Sequence, residues 1–213
     1  TLTNAGEMVA QGHDAVVEVS GATIIGGTIR GGEGAKVEAR GGATLKNLVL
    51  EVYDAEVYQN AKLDNVIIEG HVWVTENQAA QVQTAVDIDG SLTIGANATI
   101  TVVGYTPLTG PGVWFVQGGT VTGSGGGQLV NEAAAIRGHG QVGSASLAVE
   151  NRSLIVADVD GQALAMVSSS VTNKAALRAE NGGILWLIES ATSNDAAGTD
   201  RKSTRLNSSH RIR

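Results

Sequence analysis

The chain has 213 residues, with 29 Gly, 2 Pro, no Cys and a formal net charge of −7. The absence of Cys excludes disulfide bridges and Cys-ligated zinc sites, and the acidic balance argues against nucleic-acid binding, which needs clustered Lys and Arg. No apolar run approaches the roughly 20 residues of a transmembrane helix. Because aromatic residues make up only 3% of the chain, a core must be built from small and β-branched side chains.

The first seventy residues contain a repeat with a spacing of twenty residues. Val17 falls on Val37, and Glu18 falls on Glu38. Each copy alternates apolar and polar residues and then reaches Gly, Asn or Asp, as in the stretch AKVEAR at 35–40. This alternation predicts short strands separated by turns. The copies begin at Ala15, Ala35 and Ala55.

The middle third continues this pattern with looser matches. Residues 105–112, YTPLTGPG, contain both prolines and predict a loop that protrudes between coils. Residues 123–128, GSGGGQ, predict a flexible corner or an extended loop, because they lack the Lys-Ser/Thr and the helix pattern of a phosphate-binding loop. In the last third a single residue type recurs at intervals of 20 and 22 residues, at Asn131, Asn151 and Asn173.

Short alternating strands at a constant spacing predict an all-β fold, a parallel β-solenoid of roughly nine coils of about 20 residues. One such strand has almost nothing to pack against, whereas stacked coils pair their backbones and enclose a continuous apolar interior. Connections between parallel strands are nearly always right-handed, so we expect a right-handed β-helix. The alternative is an antiparallel sandwich or barrel, which needs tight turns about every 8–12 residues.

The last fourteen residues differ in composition from the rest, with five Lys and Arg against one Asp. Residues 200–210, DRKSTRLNSSH, match one reading frame of a common short-read sequencing adapter at every position. We therefore expect residues 1–199 to be a single incomplete β-solenoid domain and residues 200–213 to be a non-native, adapter-derived tail. We also expect flanking coils or domains of the same chain beyond both ends.

Three stretches of the last third resemble the Asn-centred repeats of large bacterial surface proteins. They read NEAAAIRGHGQVG, VENRSLIVADVDGQALAM and VTNKAALRAENGGILWL. Such repeats occur in autotransporter passengers, in haemagglutinin-like adhesins and in secreted β-helix proteins with C-terminal sorting tails. The resemblance covers residues 125–190 best and 15–125 more loosely, and its motifs encode a stacked coil rather than a chemistry. Typical members carry Gly-Thr where this chain has Ala175–Ala176 and Arg152–Ser153, which indicates a diverged copy.

Two pairs of carboxylates are candidates for an ion site or for hydrolysis. Asp87 with Asp89, and Asp158 with Asp160, are expected on one face of a strand end. Paired carboxylates can hydrolyse a glycosidic bond or contribute to a Ca²⁺ site. A Ca²⁺ site needs about six oxygen ligands, and no third acid completes either pair. We interpret both pairs as turn residues before Gly, and ion binding is the open alternative.

Glu18 and Glu38 are expected to stack on neighbouring coils with outward side chains. Lys36 and Arg40 flank Glu38, and Glu56 falls in the register of Lys36. We interpret these residues as a solvated charge ladder rather than as a site. Three histidines share no spacing with a carboxylate or a nucleophile, and we assign them no metal or catalytic role: His13, His71 and His139.

Tyr58 and Trp73 are the candidate residues for contact with a glycan. If the short coil that begins at Ala55 shifts the register by about five residues, the two side chains become outward neighbours. Two stacked, exposed aromatic rings on a groove can hold a sugar ring through apolar contact. The alternative is that Trp73 turns inward and fills the interior.

These observations favour a non-catalytic structural or adhesive segment of a large exported bacterial surface protein. That function implies an extracellular or cell-surface location and a partner that is a surface or a glycan, without a cofactor and without nucleic acid. The alternative is a fragment of a carbohydrate-active β-helix enzyme, a polysaccharide lyase or hydrolase, or of a phage tailspike. An enzyme would bring acids and a basic residue together on adjacent coils around one cleft.

Overall fold

The computed structural model describes residues 1–168 and 170–188, and the backbone of three further strands at 191–194, 199–200 and 210–212. All regular secondary structure in these residues is strand, wound into about nine coils about 21 residues apart. Every strand pairing among them is parallel except that of β21 (Ile184–Ile188) with β24 (His210–Ile212). The predicted parallel β-solenoid is confirmed, and the antiparallel sandwich is excluded; the right-handed winding stays a prediction.

Each coil contributes strand residues to three parallel sheets, which we call face 1, face 2 and face 3. Face 1 contains β3 (Val16–Ser20), β6 (Lys36–Arg40), β8 (Ala55–Val57), β10 (His71–Val74), β12 (Ser91–Ile94), β17 (Leu154–Ala157), β20 (Ala176–Ala179) and β23 (Thr199–Asp200). Face 2 contains β1 (Leu2–Thr3), β4 (Thr23–Ile25), β18 (Ala163–Val167) and β21. Face 3 contains β2 (Glu7–Ala10), β5 (Thr28–Gly31), β16 (Leu147–Asn151), β19 (Ser170–Asn173) and β22 (Ala191–Asn194).

Longer strands continue around the corners and so belong to more than one face. Those that pass from face 2 to face 3 are β7 (Thr44–Val52), β9 (Ala61–Ile68), β11 (Ala79–Ile88) and β13 (Thr99–Thr109). β14 (Val113–Asn131) runs through all three faces, and β15 (Ala135–Val142) runs through faces 1 and 2. No helix in the described part of the chain is long and apolar enough to span a bilayer.

Columns of apolar side chains, one residue per coil, fill the interior. On face 1, Val72 lies opposite Leu92, Leu92 opposite Trp114, and Trp114 opposite Ile136. All four side chains are at most 1% exposed. The sequence pattern does not identify Trp114 as a core residue, because the run VWFV at 113–116 offers apolar side chains to both sides of the strand. Only the register with Leu92 directs Trp114 inward.

A residue with positive φ turns each of several coils from face 2 to face 3. The φ angles are 52° at Asn47, 57° at Asn65, 66° at Thr84 and 66° at Gly104. Asn and Gly enter this left-handed region readily, whereas a β-branched residue such as Thr does so rarely. Asn65 Nδ2 also donates to Asn47 Oδ1 at 3.0 Å. The Gly and Asn content of the chain is therefore partly a requirement of its corners.

Asn131, Asn151 and Asn173 form a buried ladder at the end of face 3. They lie opposite one another on successive coils, and all three side chains are 0% exposed. Asn131 Nδ2 donates to Asn151 Oδ1 at 3.0 Å, and Asn151 Nδ2 donates to Asn173 Oδ1 at 2.9 Å. Buried amides need such partners. The recurrence seen in the sequence thus reflects one residue stacked on itself, coil after coil.

The two predicted loops belong to the stack, and the prediction for residues 105–112 is wrong for most of that segment. Its first five residues extend β13 and pair with the end of β14. Pro107 fits there because an extended strand accommodates its fixed φ and only one backbone donor is lost. Residues 123–128 lie within β14, where Gly125 and Gly126, with φ of 61° and 74°, form a corner. Residues 200–213, which we predicted to be an adapter-derived tail, lie almost entirely outside the described residues.

Candidate functional site

The predicted charge ladder is present on the outer side of face 1. Glu18 lies opposite Glu38, and Glu38 lies opposite Glu56. Arg40 binds Glu18, with 2.6 Å between NH2 and Oε1. Lys36 Nζ lies 3.2 Å from Glu56 Oε1, although the register sets Glu56 opposite Glu38 rather than opposite Lys36. A cation from a neighbouring coil thus reduces the repulsion within each stacked pair of carboxylates.

Tyr58 and Trp73 do not lie directly opposite each other. The coil that begins at Ala55 shortens the register by about three residues rather than five, so Trp73 lies opposite Glu56. Tyr58 lies two positions further along the chain, half-buried, and its hydroxyl donates to Glu38 Oε2 at 2.9 Å. Burial, followed by this hydrogen bond to Glu38, raises the pKa of Tyr58. Both side chains face outward, and Trp73 does not fill the interior, because it is 38% exposed.

On the coils that follow the charge ladder, the outer side of face 1 carries a column of aromatic residues. Trp73 lies opposite Thr93, and Thr93 lies opposite Phe115. Thr93 is only 3% exposed although it points outward, which we attribute to the larger aromatic side chains on either side. The next outward residue is Arg137. Face 1 therefore changes along the stack from carboxylates to aromatic rings, a pattern that the sequence repeats alone do not reveal.

Asp64 forms a buried charge cluster on face 2 that the sequence did not predict. Its side chain is 4% exposed, and Oδ2 lies 2.6 Å from Lys46 Nζ. Thr84 Oγ1 donates to Asp64 Oδ1 at 2.6 Å. Burial alone would raise the pKa of Asp64, but hydrogen bonds from Lys46, Thr84 and Gln83 outweigh it, so the pKa lies below its usual value. A lone Asp in the sequence gives no signal of this, because its partners come from two other coils.

The two predicted carboxylate pairs lie at different corners and do not converge. Asp158 binds Arg137, with 2.7 Å between Oδ2 and NH2, while Asp160 is exposed. Asp87 Oδ1 is buried without a hydrogen-bond partner among the described residues, and Asp89 is exposed. Within the described ranges, no group of three or more His, Cys, Asp or Glu is placed to hold a metal ion. Asp158 thus belongs to an inter-coil ion pair.

The histidines at positions 13, 71 and 139 lie on different coils and have unrelated surroundings. His13 Nδ1 lies 2.8 Å from Asp14 Oδ2, and His71 Nδ1 makes a hydrogen bond with Ser91 Oγ. His139 Nδ1 is buried without a hydrogen-bond partner among the described residues. None of these contacts joins a histidine to both a nucleophile and a carboxylate, the arrangement that a catalytic triad requires.

A groove follows the corner between face 3 and face 1 across the first four coils, and we call it the corner groove. Its two halves have volumes of about 370 and 470 Å³ and share Arg30, Gly32 and Glu33. Arg30 NH2 lies 2.7 Å from Glu51 Oε2 and 3.3 Å from Glu7 Oε1. The other lining residues that matter for charge and recognition are Tyr53, Glu69 and His71. Sequence reasoning did not find this groove, because its residues come from four coils.

Comparisons with protein-family models, with curated proteins and with solved structures gave no match. The chemistry of the chain must therefore be read from its own geometry. That geometry offers three features outside the core: the charge ladder with its adjoining aromatic column, the ion pairs between coils, and the corner groove.

Proposed function

We propose that the chain is a non-catalytic structural or adhesive segment of a larger exported bacterial surface protein. The observation that supports this proposal best is the parallel stack, in which strands of successive coils pair with one another on all three faces. Such a stack is a stiff spacer, because each coil is held by hydrogen bonds to its neighbours along a single axis. The Asn-centred repeats support the surface-protein class and the extracellular location.

The ion pairs on the exterior support a load-bearing role. Those of Arg40 with Glu18, Arg137 with Asp158 and Lys46 with Asp64 each join residues 18–22 positions apart, on neighbouring coils. A single exposed pair is weak, because water screens the attraction between its charges. Distributed over successive coils, however, such pairs resist separation of one coil from the next, which is the failure that a spacer must avoid.

The spacer role predicts how the chain unfolds under force. When the full chain is stretched from its two ends, we expect coils to detach in steps. One coil of about 21 residues should add about 70 Å of extended chain. Single-molecule force spectroscopy measures these increments. A single extension at low force, with no increment that is a multiple of one coil, would contradict the spacer role.

Tyr58 and Trp73 are the residues through which we propose a glycan contact on face 1. The Tyr58→Ala/Trp73→Ala double variant should lose binding on a glycan array. Tyr105→Ala is the matched control, because Tyr105 is 54% exposed and lies on another face. Unchanged binding by the double variant would eliminate this contact.

The second candidate function, a carbohydrate-active enzyme, is favoured by one observation: Arg30 lies between Glu7 and Glu51 in the corner groove. Carboxylates around a cleft can cleave glycosidic bonds. Incubation of the chain with neutral, acidic and amino-bearing polysaccharides, followed by assays for reducing ends and for unsaturated products, separates the two functions. We expect no product. Product formation that Glu51→Gln abolishes would overturn the non-catalytic proposal.

A further inference from the structure

The corner groove carries an excess of negative charge that the other residues of the structure do not neutralise. Four glutamates line it against a single arginine, Arg30. Arg30 is shared between Glu7 and Glu51, and neither Glu33 nor Glu69 forms an ion pair with any described residue. A groove lined by one sign of charge attracts counter-charged ligands and repels like-charged ones. Acidic polysaccharides are therefore poor ligands for this surface, and cationic ones are favoured.

An exposed tyrosine lies in the same groove. Tyr53 is 58% exposed, the largest exposed fraction among the large apolar side chains of the described residues, and it lines the groove beside Glu69 and His71. A tyrosine ring offers an apolar face that can pack against the C–H face of a sugar, and its π-system attracts a nearby ammonium group. The charge excess and the exposed ring are independent observations, and both suit a ligand that combines a flat apolar face with a positive charge.

The carboxylates of successive coils form a column that a linear polycation can follow. Glu51, Glu69 and Asp89 follow one another on face 3, because Glu69 N donates to Leu50 O and Asp89 N donates to Ile68 O. Neighbouring coils lie about 4.8 Å apart, so this column presents one carboxylate at about that interval. A linear polymer of amino-bearing sugars presents ammonium groups along its whole length, so several of them can meet this column. A Lys-rich peptide also presents repeated ammonium groups, but its side chains offer no flat sugar face to Tyr53.

We propose that the corner groove, with Tyr53 and Glu69, and the adjoining Asp89 on the next coil bind a linear saccharide that carries free amino groups. This inference names the ligand class of the adhesive role and so rests on the adhesive part of the proposed function. It concerns a surface distinct from Tyr58 and Trp73 on face 1. The ring packs on Tyr53, and the ammonium groups meet the carboxylates of successive coils.

The test is a binding titration of the immobilised full chain with glucosamine oligosaccharides in a mildly acidic buffer. N-acetylated oligosaccharides of equal length, an oligogalacturonate and a Lys-rich peptide are the comparison ligands. We expect the glucosamine oligomers to bind most tightly and to weaken as ionic strength rises to about 0.5 M. Tyr53→Ala should weaken binding roughly five- to tenfold, and Glu69→Gln/Asp89→Asn should weaken it further. Tyr105→Ala is the control for a general loss of exposed tyrosine and should bind as the parent does.

Several outcomes would overturn the inference. Equal binding of the N-acetylated oligomer would remove the charge argument, and equal binding of the Lys-rich peptide would replace the saccharide by any polycation. Unchanged binding by Tyr53→Ala, with circular dichroism showing intact strand content, would place the ligand elsewhere. If no oligosaccharide binds but the chain still extends in coil-sized steps, this inference fails while the spacer role stands.

Discussion

Replacement of Asn151 by Leu tests the buried ladder, because this residue is its central member. Asn151 Nδ2 donates to Asn173 Oδ1 at 2.9 Å and to the carbonyl of Ala176 at 3.1 Å. Its Oδ1 accepts from Asn131 Nδ2 at 3.0 Å and from the backbone N–H of Ser153 at 3.3 Å. Asn151→Leu removes all four hydrogen bonds from a side chain that is 0% exposed.

The expected loss follows from these bonds. Each contributes about 1 kcal/mol net, so four bonds amount to about 4 kcal/mol. The Leu side chain recovers a part of this through apolar burial, roughly 1 kcal/mol. We therefore expect Asn151→Leu to lower the apparent free energy of unfolding by about 3 kcal/mol, a large fraction of the stability of an ordinary domain.

Asn131→Leu is the matched control. Asn131 lies opposite Leu108 of the preceding coil, and its Oδ1 is buried without a hydrogen-bond partner among the described residues. The substitution removes two donated bonds, to Asn151 Oδ1 and to the carbonyl of Leu154, but it also removes an unsatisfied carbonyl and extends an apolar column. We expect a loss of about 1 kcal/mol or less. Urea titrations followed by far-UV circular dichroism compare the two variants, and an equal or larger loss for Asn131→Leu would refute the reasoning.

Three further predictions concern single positions. The pKa of Asp64 is lowered in the folded chain. The ionised carboxylate therefore stabilises the fold near pH 7, and this stabilisation is lost as pH falls below about 3.9, the value of an unfolded Asp. In thermal melts, the melting temperature of Asp64→Asn should fall less on acidification than that of the parent chain. Gly138→Ala should disrupt its coil, because φ is +112° and a Cβ would collide with the carbonyl of Val116. Gly104→Asn should be tolerated, because φ is +66° and no heavy atom lies within 4 Å of the added Cβ. Similar melting temperatures for the two variants would contradict this prediction. Tyr58→Phe should cost about 1–2 kcal/mol through loss of the hydrogen bond to Glu38, measured by denaturation, and no change would show that the bond is not formed in solution.

The short third coil shows where sequence reasoning reaches its limit. From Val37 to Ala55 the stacked residues are 18 positions apart, and from Ala55 to Val72 they are 17 apart. A shift of about five residues therefore overstates the change, and Trp73 meets Glu56 instead of Tyr58. The length of a corner decides such an offset, and corner length depends on which residues adopt positive φ. Repeat spacing averages over these differences and does not resolve them.

The architecture could be predicted from the sequence, because the alternation of apolar and polar residues and the repeat spacing specify parallel stacked coils, with Val17 over Val37 and Glu18 over Glu38. It also showed that Asn recurs at Asn131, Asn151 and Asn173, and the structure adds that these residues stack as a buried ladder. The sequence does not show that Trp114 points inward, that Asp64 is buried, or that a groove forms beside Tyr53. The physical reason is that period-two alternation fixes which side of a strand a residue occupies, whereas contacts between coils depend on the offset at every corner.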